Sequence, residues 1–152
     1  MNKSTVAEIK ERFDKDVERF SNLDTGQLST IDAKVSLELI TEASKRIVSQ
    51  AVNLLDIGCG AGNYTLMMLS KIPDLNCTLL DLSKPMLDKA FERVSQKTNN
   101  QVTILQGDIR EVELTENHFD IILAGAVLHH LRDDKDWETT FEKLFKLLKP
   151  GG

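Results

Sequence analysis

Four short apolar runs, Val52–Ile57, Cys77–Leu80, Val102–Leu105 and Phe119–Leu123, recur after residue 50 and are interleaved with amphipathic helical segments. Short strands alternating with helices imply βαβ units and hence an α/β fold. Right-handed crossovers put helices on both faces of a parallel sheet, which explains strands that are apolar almost throughout. The helical segments carry their own punctuation. Asn63 to Lys71 reads as helix and Pro73-Asp74 ends it. Ser83 suits an N-cap, with Pro85 in a first turn where its missing N–H costs nothing, and helix follows through Met86, Leu87, Ala90, Phe91 and Val94. A last helix carries Trp137, Phe141, Leu144, Phe145 and Leu148 before Pro150-Gly151-Gly152 stops it.

The first fifty residues follow a different grammar. Val6, Ile9, Phe13, Val17 and Phe20 recur at helical steps and predict one helix with one apolar face. Ser21 to Thr30 breaks the pattern with Asn22, Asp24 and Gly26. Ile31, Val35, Leu39, Ala43 and Ile47 then predict the core-facing stripe of a second helix. Residues 1–50 therefore read as an N-terminal helical cap and 51–152 as the sheet domain.

Composition excludes several function classes. A formal charge of −5 argues against a broad nucleic-acid surface, which shows as a basic face. The opening MNKSTVAEIK lacks the apolar centre of a signal peptide, and Ile121 to Leu128 is too short to span a bilayer, so the expected location is cytoplasmic and off the membrane. Cys59 and Cys77 read as reduced, small apolar residues. His118, His129 and His130 show no metal-ligand spacing, so no metal is assigned. Asp133, Asp134, Asp136 and Glu138 read as the acidic first turn of the last helix.

Asp56-Ile57-Gly58-Cys59-Gly60-Ala61-Gly62 joins the first strand to its helix. Glycines there let the backbone turn sharply and approach a ligand, and a helix N-terminus aims N–H groups at the site. A dinucleotide fingerprint would read G-x-G-x-x-G, but here the third glycine comes one residue early and position 63 is Asn. With Asp56 immediately before the loop, the pattern favours a nucleoside ligand without a pyrophosphate. Asp81 ends the second strand 23 residues after Gly58, where a carboxylate matches the spacing of a ribose cis-diol or simply starts a turn.

LLDIGCGAGNYT, LLDLS, LQGDIRE, FDIILAGAVLHHL and LLKPGG together resemble the successive motifs of class I S-adenosylmethionine-dependent methyltransferases, over residues 52 to 152. The resemblance implies a Rossmann-like, doubly wound parallel sheet with strand order 3-2-1-4 and two leading helices. It implies that Gly58, Cys59, Gly60 and Gly62 lie under the methionine portion of the cofactor, with Asp56 shaping the loop. Asp81 would bind the ribose hydroxyls, and Leu82 and Met86 would pack near the adenine. Asp108 would accept from the adenine amino group, Ile109 would donate its backbone N–H to the ring, and Ala124 with the residues after it would line the pocket near the transferable methyl. The family's sheet has seven strands, so the resemblance further implies three strands beyond Gly152. Without them strand 4 is an open apolar edge, which a C-terminal segment or a second copy of the chain is expected to cover.

Methyl transfer from a sulfonium needs alignment and dryness more than a strong catalytic group. An acceptor with a proton to lose needs a base, and His129, at the carboxyl end of the sheet, is the candidate; the alternative is that one or both of His129 and His130 cap or pack the loop. Adjacent residues on a turn face different ways, so at most one is expected in the pocket. The leading residues Arg12-Phe13-Asp14 through Phe20-Ser21-Asn22-Leu23 more loosely resemble small-molecule methyltransferases. The acceptor implied is thus a small molecule. Three alternatives stay open: a carboxy-S-adenosylmethionine synthase-like enzyme of transfer-RNA modification, a nicotinamide-dependent oxidoreductase, and a non-catalytic module that keeps the nucleoside pocket.

Overall fold

Backbone pairing organises the molecule around its first strand. In the computed structural model, which describes residues 4–22 and 33–152, β1 (Asn53–Ile57) pairs in parallel with β2 (Asn76–Asp81) and with β4 (Ile121–Leu123). The fourth strand, β3 (Val102–Gln106), pairs with the outer side of β2, giving the order β3-β2-β1-β4. Ile57 lies opposite Leu80, which lies opposite Leu105, so the three strands end at one level. β4 starts two residues later than the apolar run suggests. Phe119 pairs with Leu148 instead, and Asp120 donates its amide to the Asn53 carbonyl at 2.9 Å while its carboxylate accepts from the amides of Val52 and Asn53 at 3.0 and 2.8 Å and from Lys149 Nζ at 2.8 Å.

The alternation of side chains along the strands divides the core into two layers. Leu54, Cys77, Leu79, Ile121 and Leu123 face Met68 and Leu69 of α4 (Asn63–Lys71) and Leu87, Ala90 and Val94 of α5 (Lys84–Ser95). Leu55, Ile57 and Leu80 face Leu147 of α6 (Asp134–Leu147), together with Ile109 and Phe119. Helix starts follow their caps: Ser83 Oγ accepts from Met86 N at 3.3 Å, and Asp133 Oδ1 from Asp136 N at 2.9 Å.

Two expectations for the N-terminal region need correction. The first helix is two, α1 (Val6–Asp14) and α2 (Val17–Ser21), each packed against α5 rather than against the sheet. The cause is local: the amide of Asp16 bonds back to the Phe13 carbonyl and Asp16 then begins a new turn. The second helix, α3 (Ala33–Ile47), packs on α4 but turns the predicted stripe outward. Leu39 and Ile47 are 65% and 77% exposed, whereas Leu37 and Thr41 are buried. Thr41 tolerates burial because its hydroxyl donates to the Leu37 carbonyl at 2.9 Å. Asp24, Gly26 and Ile31 lie outside the described residues. On α6 likewise, Phe141 and Phe145 are exposed while Thr140 and Leu147 are buried.

Candidate active site

The carboxyl ends of β1, β2 and β3 open onto one cavity of about 400 Å³. Gly58 to Ala61, Asp81, Leu82, Met86 and Gly107 to Arg110 form its strand-end wall. Phe13, Phe20 and Gly125 to Arg132 form the wall opposite in sequence terms, contributed by the N-terminal helices and the segment after β4.

The glycine loop is shaped by β2. Gly58 and Cys59 donate their amides to the Leu80 carbonyl at 2.7 and 3.1 Å, Gly60 donates to Asp81 Oδ2 at 2.8 Å, and Gly62 to the Cys59 carbonyl at 2.8 Å. These four amides are engaged inside the protein, so at these positions the loop is not the free anion cradle that a helix N-terminus suggested. The parallel register brings Leu80 and Asp81 directly beneath it. Gly58 has φ +62°, and a Cβ there would stand 2.5 Å from Val127 Cγ2. Its lack of a side chain lets the segment after β4 close over the end of β1. Gly62, at φ +82°, lies 3.3 Å in the same sense from Ala90 Cβ and does not line the cavity. It serves the approach of α4 to α5 instead.

Asp81 ties loop and strand together, taking Gly60 N on Oδ2 and Ser83 N on Oδ1 at 2.9 Å. Burial pushes its carboxyl above the ordinary range, against the amides that donate to it. Met86 and Ile109 are buried and Leu82 half-buried, and all three line the same cavity as the carboxylates Asp81 and Asp108. Asp108 accepts from Arg110 three times: from its amide and Nε on Oδ1, both at 2.9 Å, and from Nη2 on Oδ2 at 2.5 Å. Burial raises its pKa, but the Arg110 guanidinium and amide outweigh that and hold the group below the usual carboxylate range.

Asp56 sits behind the loop, outside the cavity lining and fully buried. Burial raises its carboxyl to about 7, opposed by the Thr65 hydroxyl that donates to Oδ2 at 2.7 Å. That bond fastens α4 to β1. Cys59 is buried, and burial pushes its thiol well above the ordinary range, so it offers no thiolate. Ala124 is not part of the lining, which begins at Gly125. A Cβ on Gly125 would stand 2.3 Å from Tyr64 Cε2, so the Tyr64 ring packs directly against this glycine. Both histidines reach the cavity, where one was expected. They lie on a 3₁₀ turn (Leu128–His130) with ring centroids 3.9 Å apart, His129 exposed and His130 edge-on to Phe13 at 6.2 Å.

A sequence profile described as a methyltransferase domain matches residues 54–152. The chain belongs to the methyltransferase-domain family. This is the class I S-adenosylmethionine-dependent family that its five motifs resemble. Malonyl-[acyl-carrier protein] O-methyltransferase of Priestia megaterium is 29% identical over 144 residues, covering 95% of this chain and 48% of that protein. Demethylmenaquinone methyltransferase of Listeria monocytogenes serotype 4a is 30% identical over 126 residues, covering 82% of this chain and 52% of that protein. The chain thus spans about half the length of the curated relatives it matches. In fold it is similar to N-methyltransferase NodS of Bradyrhizobium japonicum WM9, solved in complex with S-adenosyl-L-homocysteine, with TM-score 0.71 at 22% identity over 97% of this chain and 69% of that one.

The sequence alone did not identify Arg12, Phe13, Phe20, Tyr64, Arg110 or Arg132 as cavity residues of this methyltransferase-family chain. Arg110 stood inside the quoted LQGDIRE motif, two residues from Asp108, where an ion pair was open to being read. The N-terminal residues reach the cavity through tertiary packing that no local pattern encodes. Asn63 is the exception with a signal: it replaces the glycine of the dinucleotide fingerprint. Its Nδ2 donates to the Phe20 carbonyl at 3.0 Å while its Oδ1 accepts from Arg93 Nη1 at 2.9 Å.

Proposed function

We propose that this chain is the cofactor-binding part of an S-adenosylmethionine-dependent methyltransferase acting on a small-molecule acceptor. The observation that carries the reading is the single cavity shared by the glycine loop, Asp81 and Asp108. Its chemistry fits adenosine: two carboxylate acceptors in one cavity with the apolar Leu82, Met86 and Ile109 suit the sugar diol, the base amino group and the base faces. In this reading Gly58, Cys59 and Gly60 lie under the methionine portion, and Gly62 and Asp56 act through the shape of the loop. Residues 51–152 are the methyltransferase core and 1–50 a cap that narrows the acceptor side.

The bound cofactor supplies an activated methyl group on a sulfonium. The chain's part is to align and to exclude water. The aromatic pair Phe13 and Phe20, 5.2 Å apart, shields the cavity on the acceptor side, with Arg12 and Arg132 beside it. The named relatives act on malonyl-[acyl-carrier protein] and demethylmenaquinone, which supports an acceptor small in its reacting part. His129, exposed at the cavity, is the group available to take a proton from such an acceptor.

Calorimetric titration with S-adenosylhomocysteine and with reduced nicotinamide cofactor tests the assignment. S-adenosylhomocysteine binds and the nicotinamide does not; the reverse result sinks the reading. Asp81→Ala weakens the S-adenosylhomocysteine affinity by on the order of 1–3 kcal/mol. His129→Gln leaves that affinity unchanged and slows transfer by roughly a hundredfold or more. Cofactor binding without transfer to any acceptor by a chain extended to the length of its relatives would instead support the non-catalytic module.

A further inference from the structure

Arg110 makes the densest set of side-chain hydrogen bonds in the cavity wall, and no role assigned so far uses it. Its Nε and Nη2 hold the two oxygens of Asp108 in a fork, at 2.9 and 2.5 Å, and its Nη1 donates to Asp136 Oδ2 at 2.5 Å. Asp136, near the start of α6, also accepts the Arg132 amide at 3.0 Å on the same oxygen. The guanidinium is therefore gripped from both sides, by the turn after β3 and by α6. A planar fork fixed at both ends defines a carboxylate plane as a flexible lysine would not.

The lone pairs of Asp108 can be counted. Oδ1 takes two donors, the Arg110 amide and Nε, and is saturated. Oδ2 takes one, Nη2, and keeps one lone pair. We infer that Arg110 is a positioning residue that fixes Asp108 as an ionised, single-site acceptor and so makes the cavity select a base bearing an amino group over one bearing a keto oxygen. An ionised carboxylate accepts a hydrogen bond from an exocyclic amino group and has no proton to donate to a carbonyl. Opposite a keto group the remaining Oδ2 lone pair meets another acceptor in place of a donor, and a polar site mismatched in this way rejects the wrong partner more strongly than a hydrophobic slot does. The inference rests on the adenosine assignment proposed above and adds the residue that enforces it.

The test is calorimetric titration of wild type, Arg110→Ala, Arg110→Lys and Asp136→Asn with S-adenosylhomocysteine and with its deaminated counterpart, S-inosylhomocysteine. Wild type prefers the amino ligand by about tenfold or more. Arg110→Ala and Arg110→Lys lose most of that preference, because the amino ligand weakens by about tenfold while the keto ligand changes little. Asp136→Asn, which removes the negative charge at the far end of the guanidinium without touching Asp108, gives an intermediate loss, and it and the lysine variant carry the test if the alanine variant does not fold. Equal weakening of both ligands would mark a merely structural arginine and overturn the inference, as would tighter S-adenosylhomocysteine binding on removing Arg110. Wild type that binds neither ligand defeats the adenosine assignment itself, a result distinct from these.

Discussion

The two walls of the cavity are built on different principles. The strand-end wall is fixed by main-chain hydrogen bonds: Gly58 and Cys59 to Leu80, Gly60 to the Asp81 carboxylate, and Gly107 N to the Asp81 carbonyl at 3.0 Å. Every one depends on strand register, which the core sets. The wall from α1, α2 and the 3₁₀ turn is held by side chains, through the Phe13–Phe20 and Phe13–His130 ring contacts and the Asn63 bond to Phe20. Side-chain contacts change with each substitution, whereas backbone bonds survive most of them. A fold that keeps one ligand while varying another can hold the constant part on its strand ends and the variable part on its peripheral helices.

The largest expected effect tests how tightly the strand-end wall is bound to the core. Asp56 is raised to about 7 from an ordinary 3.8, so the native state holds its proton to higher pH than the unfolded chain. Its contribution to stability is therefore full below about 3.8, falls as pH rises through the interval to about 7, and is flat above. Asp56→Asn removes the ionisation, so the variant gains on wild type across that interval by up to roughly 4 kcal/mol. Urea midpoints at pH 4, 5.5, 7 and 8 measure the difference, and a constant difference breaks the claim that Asp56 titrates inside the core.

Gly58→Ala comes next. The new Cβ must displace Val127 from 2.5 Å and force alanine into φ +62°, at a cost of about 2–4 kcal/mol. Because Val127 belongs to the segment after β4, the substitution pushes the two walls apart. Urea denaturation and S-adenosylhomocysteine titration should both register it, while a variant as stable as wild type would mean that the second wall moves aside freely.

These two substitutions also mark what was legible in the sequence. The four strands, the glycine loop, Ser83 as a cap and the acids Asp81 and Asp108 after strand ends follow from local patterns, whereas the strand order comes from the family resemblance. The stripe Val35, Leu39, Ala43, Ile47 failed because α3 has apolar residues on two faces, and periodicity does not say which one a neighbour covers. Its buried face uses Leu37 with Thr41, whose hydroxyl donates to a carbonyl of its own helix, so a polar letter conceals part of an interior surface. Arg12 and Phe20 are cavity residues only because α1 and α2 dock on α5, a long-range contact without a short-range signature.

A smaller effect sharpens the contrast from the other side. Asn63→Ala removes the bond to Phe20 and one acceptor of Arg93, for about 1–2 kcal/mol. The wall it anchors is peripheral, so hydrogen exchange at residues 5–22 should accelerate while exchange in β1 and β2 stays slow. Acceleration in both would make the helices and the sheet a single cooperative unit and remove the distinction between the walls.

The smallest effect lies farthest from the sheet. Thr5 and Glu8 form a reciprocal capping box at the start of α1, with Glu8 N to Thr5 Oγ1 at 3.3 Å and Thr5 N to Glu8 Oε2 at 2.7 Å. Both side chains are exposed, and Thr5→Ala costs about 0.5–1 kcal/mol of helix stability. If α1 is a separately held element, that loss frays its first turn, loosens Val6 and Ile9 at the cavity, and leaves the global urea midpoint nearly unchanged. Exchange protection at Ile9, whose amide donates to the Thr5 carbonyl at 3.0 Å, is the sensitive probe. A global midpoint shift as large as the local one would show that α1 unfolds only with the sheet, and the adaptable wall would then be as rigid as the one it faces.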